Sequence, residues 1–272
     1  VGWGGVVRAE IHEELARHPE LDVVFADAAG SAEQQAQLLE ALLSDGLSAV
    51  VLLPIEQNVR PILERYREAG IPVVMLDNDM EAPALYRTLI LADNRRFGRD
   101  MGEFFVEVSG GHVDVIELRG IAGTSAAQHR TQGFRQAIAA APDVRVVASV
   151  DAGWQRDRAR EEVARLLPLH PRVEGVFAHN DDMAEGAIEA AEAAGRAGRL
   201  LVTGIDAGRD GVQLVTQGRL AATLMNPSPG RPACAALLAL LAGEPLLPRV
   251  LLRTSLLRSK ERIRAWQAGR SG

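Results

Sequence analysis

Short continuous runs of Val, Ile and Leu alternate along the chain with longer stretches whose apolar residues recur every three or four positions. The runs predict strands at 22–26, 49–53, 73–76, 88–92, 113–118, 145–150, 175–178, 201–204 and 222–225. Most are continuous rather than alternating, the pattern of strands covered on both faces. The stretches between them predict amphipathic helices. Val7, Ile11 and Leu15 form one stripe, Val59, Ile62, Leu63 and Tyr66 a second, and Phe97, Met101, Phe104 and Val108 a third. Gly46 and Gly70 stand where helix C-caps belong, Pro72 opens a strand, and residues 259–267 read as a closing helix.

Repeated strand–helix–strand units predict an α/β fold of doubly wound parallel sheets. Nine strands are many for one sheet, so two α/β lobes are expected. Switch points near 92–94, 225–229 and 252–254 divide the chain into one lobe of 1–92 plus 227–252 and a second of 93–226 plus 253–272.

The length of 272 residues suits two medium domains, and 47% apolar residues exclude a disordered chain. A net charge of −6 argues against a nucleic-acid partner. The single cysteine, Cys234, excludes an internal disulfide and a Cys-rich metal site. The most apolar helical run, 236–242, is far too short to span a membrane, and the first residues do not read as a signal peptide.

Ligands of open α/β sheets bind beyond the carboxyl ends of the strands. Those ends carry Asp27, Glu56, Asp77-Asn78-Asp79, Asp93-Asn94, residues 119–125, Asp151 to Trp154, His179 to Asp182, Asp206 and Asn226. Asp27, Asp93, Asp182 and Asp210 are the expected helix caps. Asp77, Asn78, Asn180, Asp181 and Asp206 offer more hydrogen-bonding capacity than caps require. A hydroxyl donates once and accepts twice, so such a set suits a polyol or sugar. Trp3 and Trp154 could pack on the C–H face of a sugar ring, whereas Trp266 reads as packing.

Other chemistry is weak. There is no G-x-G-x-x-G after a strand, no P-loop, no H-E-x-x-H and no G-x-S-x-G. A metal is not expected: the histidines are scattered, with His129 and His179 at best lining a cleft. Residues 120–125 read as a glycine-rich turn and cap before they read as an anion cradle. Asp77-Asn78-Asp79 is a D-x-D, a pattern common by chance.

Taken together and in order, several stretches resemble the ribose/galactose-type periplasmic sugar-binding proteins, whose type I solute-binding fold is shared with lac repressor-type effector domains. They are GLSAVVLLP at 46–54, AGIPVVMLD at 69–77, GTSAA at 123–127 with Arg130 and Gly133-Phe134, VFAHNDDMA at 176–184, Gly204-Ile205-Asp206, and LAAT at 220–223. The resemblance implies two Rossmann-like lobes joined by a three-crossover hinge and closing on one sugar. It implies ligand contacts at Asp77, Arg130, Asn180 and Asp206, with Asn226 in the third crossover, Trp154 stacking on the ring, and Trp3 and Arg8 contributing from the first loop–helix region. It implies no catalysis and no cofactor. The expected partner is the permease of an ABC-type transporter or, alternatively, a signalling protein such as a sensor histidine kinase, with the chain an extracytoplasmic monomer. A sugar-processing enzyme using Asp77 and Asp79 is the remaining alternative.

Two features depart from the family. Asn78 stands where an arginine often follows the aspartate, which removes a bidentate clamp and points away from ribose. The family's first strand has no counterpart ahead of Trp3, which reads as part of the loop after it.

Overall fold

The computed structural model describes residues 3–270. In chain order the elements are α1 (Trp3–Leu15), α2 (Ala32–Leu42), β1 (Val50–Leu52), α3 (Arg60–Glu68), β2 (Val73–Leu76), β3 (Thr88–Ala92), α4 (Asn94–Ser109), β4 (Val113–Arg119), α5 (Ser125–Ile138), β5 (Val144–Asp151), α6 (Arg156–Leu166), β6 (Val173–Ala178), α7 (Asp181–Ala193), β7 (Leu201–Asp206), α8 (Arg209–Thr216), β8 (Ala222–Met225), α9 (Gly230–Leu241), β9 (Arg249–Leu252), β10 (Leu256–Arg258) and α10 (Lys260–Arg270). They form two compact units. The first holds the residues up to Ala92, Gly123–Ser125 and Pro227–Arg253; the second holds Asp93–Ala122, Ala126–Asn226 and the residues from Thr254 onward.

The first unit is a parallel sheet of order β1-β2-β3-β9. All four residues of β2 are buried, and the two-residue period of a strand sends them to different cores. Val73 and Met75 pack with Leu39, Leu63 and Tyr66 beneath α2 and α3. Val74 and Leu76 pack with Val7 and Ala233 beneath α1 and α9. Tyr66 is fully buried because its hydroxyl reaches a partner, donating to the Leu39 carbonyl at 2.8 Å.

In the second unit the sheet order is β10-β8-β7-β6-β4-β5, parallel except for β10, which runs antiparallel to β8. Ile116, Leu118, Val176 and Val202 share one core with Ala159, Val163, Met183 and Ala187 of α6 and α7. A separate chain of rings, Phe104, Phe105, Phe134 and Phe177, joins α4 and α5 to β6. The helices α4 and α5 cross closely through Gly98 and Gly133.

The α/β class and the parallel sheets agree with the sequence pattern. Residues 22–26 do not form a strand: no ladder partner reaches them, and Val23, Val24 and Phe25 stay exposed, with Phe25 stacked on His12 at 3.5 Å. Apolar content makes a strand only where a neighbouring strand completes its hydrogen bonds. Trp3 is the first residue of α1, not a loop residue. Two short strands, β9 and β10, escape the reading because runs of three or four residues carry almost no periodicity.

Only one of four expected caps is a cap. Asp93 accepts from the Arg96 N–H at 2.9 Å. Asp27 instead makes a local turn to the Ala29 N–H, and Ser31 caps α2. Asn180 displaces Asp182 as the cap of α7, and α8 starts from Gly208 rather than Asp210. Where the expectation fails, the actual cap lies two residues before the expected one, or four after it for Asp27, where the backbone turns extended.

Candidate functional site

In the first unit the carboxyl end of β2 is shaped by strain and hydrogen bonding. Asp77 is buried and left-handed, with φ of 56°. The Asn78 amide donates to the Pro54 carbonyl at 2.7 Å, tying the exit of β2 to the exit of β1. Asp79 is fully engaged. One oxygen accepts from the Glu81 N–H at 2.8 Å and the Tyr86 hydroxyl at 3.2 Å; the other pairs with Arg249 at 2.9 Å. Burial, reinforced by Asp79, pushes the Tyr86 hydroxyl up to about 12. Trp3 is half-buried against the cluster that contains Leu76, the residue before Asp77. Arg8 is exposed and paired with Asp27 at 2.6 Å, an ion pair contributing about 1 kcal/mol or less.

The second unit brings five predicted residues to the same end of its sheet. Arg130 is 3% exposed on α5. Its Nε donates to Asn94 Oδ1 at 2.8 Å and its Nη1 to the His179 carbonyl. Its guanidinium lies over the rings of Phe97 at 5.4 Å and Trp154 at 5.3 Å. Trp154 follows β5 with φ of 66°, and its indole lies so close to Gly120 that a Cβ there would fall 2.0 Å from the ring. Asn180 caps α7 through its Oδ1 and donates from Nδ2 to the Trp154 carbonyl at 3.3 Å. Asp206 closes β7 with φ of 130° and accepts from Asn226 Nδ2 at 3.3 Å.

Asp77, Trp154 and Asp206 thus share an unusual feature: side chains with a Cβ held at positive φ. Such backbone costs on the order of 1 kcal/mol or more per residue and gathers where function fixes a geometry.

Beneath this end lies a pair the sequence reading missed. Glu117, mid-strand in β4, and His179 have no exposed side-chain surface and meet at 3.2 Å. His179 therefore lines no cleft. Ser149 donates to Glu117 at 2.7 Å and Arg135 at 3.3 Å. Burial works to raise the Glu117 carboxyl, but the His179 and Ser149 hydrogen bonds outweigh it and hold the group at about 2. Burial pushes His179 down, so the ring stays neutral and donates to an ionised Glu117. The pair anchors the Arg130 acceptor and the ring beside Trp154. A glutamate inside an apolar strand was the one available signal.

Both shifts favour the fold at higher pH. Unfolded His179 takes a proton near 6.5, and unfolded Glu117 near 4.5, before either does so in the fold. Stability is therefore expected to fall as pH drops from about 6.5, and to fall further as it drops below the unfolded Glu117 value. Urea unfolding at pH 7, 5 and 3 checks this: Glu117→Gln should flatten the decline below pH 5, and an unchanged slope would remove Glu117 from the explanation.

Among the described residues no group of three or more His, Cys, Asp or Glu side chains is placed to hold a metal, and no helix is long and apolar enough to cross a membrane.

Comparison with known proteins identifies the architecture. Residues 3–245 match the family model for the periplasmic binding protein domain. The chain belongs to this family. Its periplasmic-binding-protein relatives include the ribose import binding protein of Salmonella typhimurium, 35% identical over 75% of this chain and 68% of that protein. The galactofuranose-binding protein of Escherichia coli is 30% identical over 87% of this chain and 77% of its own length. Among solved structures, the fructose-binding periplasmic domain of a hybrid two-component system aligns with a TM-score of 0.91 at 29% identity, covering all of this chain and 91% of that one. The arabinose-binding component of an ABC transporter from Shewanella sp. ANA-3 aligns at 0.90 and 27% identity, covering 100% and 92%. The two parallel-sheet units are thus those of a type I periplasmic binding protein.

Proposed function

We propose that this periplasmic binding protein captures a small neutral sugar or related polyol outside the cytoplasm, as the solute-binding component of an ABC-type importer. The observation that carries the reading is the strand-end set of the second unit. A buried arginine is held over an indole, with Asn180, Asp206 and Asn226 beside the strand ends. Arginine, carboxylate and amide together match the donor and acceptor pattern of vicinal hydroxyls, and the indole suits the apolar ring face. Relatives named for ribose, galactofuranose and xylitol support the same ligand class. Asp77 and Asn78 of the first unit, with Trp3 and Arg8, are the proposed contacts on that unit. Asn78 favours a ligand other than ribose, since an amide cannot grip two hydroxyls as an arginine fork does.

The engagement of Asp79 by Arg249, Tyr86 and a backbone N–H supports binding rather than D-x-D chemistry. Sensing is a second reading, favoured by the full-length match to a periplasmic domain of a two-component system.

Thermal shift against D-ribose, L-arabinose, D-fructose, D-galactose, xylitol and myo-inositol, with and without EDTA, tests the proposal. Ligand at 100 times its dissociation constant should stabilise the protein by about 2.7 kcal/mol. The expected result is a rise with one or a few members, indifferent to EDTA and accompanied by no consumption of the sugar. Turnover of the sugar, or a rise abolished by EDTA, would overturn it.

A further inference from the structure

Asp181 is a buried acid that the proposed ligand contacts leave out. It opens α7 directly after Asn180 and is 7% exposed. Its Oδ1 accepts from the Thr223 hydroxyl at 2.7 Å, while its Oδ2 is buried with no partner in good hydrogen-bond geometry, and the nearby Ala207 N–H favours the charged form less than burial opposes it. Two glycines make room for it. A Cβ at Gly204 on β7 would fall 2.2 Å from Oδ1, and a Cβ at Gly211 on α8 would fall 1.9 Å from Oδ2. Neither glycine has positive φ, so space rather than backbone freedom is what a side chain there would violate.

Asp206 closes the same strand two residues beyond Gly204, and its charge acts on the Asp181 carboxyl. The carboxyl of Asp181 is therefore packed under the strand end that presents Asp206. The charges facing it are acidic: Asp206 from β7 and Asp182 from its own helix. The first turn of α8 carries Arg209 and Asp210, and β8 contributes the neutral Thr223.

An ionised carboxylate with one buried oxygen poorly hydrogen-bonded and a second carboxylate close by is costly in a protein interior. A neutral acid of the same shape is not. We propose that Asp181 is a positioning residue of the strand-end site, present as an uncharged carboxylic acid under Asp206, so that this end of the sheet shows a ligand one carboxylate rather than two. Burial first, and then the Asp206 charge, push the Asp181 carboxyl well above the usual carboxylate range. The consequence for selectivity rests on the sugar reading: one carboxylate among amides and an arginine suits a neutral hydroxylated ligand, whereas two would favour an amine or a metal ion.

The test has two arms. In the unliganded protein, the Asp181 carboxyl carbon is followed by NMR in the wild type and in Asp206→Asn. The expected result is a protonated Asp181 at pH 7 whose midpoint falls by a pH unit or more when Asp206 is neutralised. An ionised Asp181 at pH 7, or a midpoint indifferent to Asp206→Asn, overturns the proposal. In the second arm, whichever of the six panel sugars binds the wild type is titrated against Asp181→Asn and Asp181→Ala at pH 7. The amide variant, which keeps shape without charge, should stay within about threefold of wild type while the alanine variant weakens binding at least tenfold. A tenfold loss in Asp181→Asn would show that the charge is needed and overturn the proposal. If no sugar binds the wild type, the sugar reading fails and the carboxyl titration alone decides the state of Asp181.

Discussion

Replacing Arg130 with alanine is expected to abolish the sugar-induced thermal shift and to destabilise the second unit by about 3 kcal/mol. Both effects follow from one placement. The guanidinium is buried, and its removal strips a donor from Asn94 Oδ1 and another from the His179 carbonyl. Acceptors left without donors inside a protein each cost about 1–3 kcal/mol. The variant also deletes the cation that lies over Phe97 and Trp154, so the indole loses the group that holds its orientation. Arg130→Lys separates the two roles. It keeps the charge but not the planar fork, so the fold should recover more than the affinity does. Urea unfolding and ligand titration on both variants check this, and a sugar response intact in Arg130→Ala would remove Arg130 from the site.

The second large effect is expected from Gly98→Ala. A Cβ at this position would lie 1.9 Å from the Arg130 carbonyl oxygen and 2.7 Å from the Phe134 nitrogen. Both obstacles are backbone, so no rotamer change can relieve them. The helices α4 and α5 must separate, at a cost of about 3 kcal/mol or more. Gly133→Ala should behave alike, because its Cβ would meet the Arg95 carbonyl at 1.9 Å. The displaced carbonyl in the first case belongs to Arg130 itself, so affinity should fall together with stability. Gly269→Ala in α10 is the control. No atom lies within 4 Å of its added methyl, and helix propensity predicts a neutral or slightly stabilising change, at most about 1 kcal/mol. Equal melting temperatures for Gly98→Ala and Gly269→Ala would refute the close crossing.

The regular elements were legible because their cause is local. The stripe of Phe97, Met101, Phe104 and Val108 is buried along α4 as its spacing requires, and the runs at 73–76 and 88–92 became strands with every residue buried. Where a run lacked a partner strand, at 22–26, the same composition gave exposed, irregular chain. The strand-end rule also found the polar set, since the carboxyl end of a parallel strand is defined by its own sequence direction. Roles within that set were less legible. Asn180 and Asp182 are equally plausible caps in one dimension, and only the extended backbone at Asn180 decides between them.

By itself the sequence determined the α/β class, the order of most strands and helices, and which polar residues follow each strand. These depend on periodicities of two and 3.6 residues written along a few neighbouring positions. The tertiary structure decided the rest: the Glu117–His179 pair across 62 residues, the Thr223–Asp181 bond across 42, and the glycines that let α5 and the Asp181 carboxyl approach. Burial of a charge, and the room left by a missing side chain, depend on residues distant in sequence that meet only when the sheet has formed.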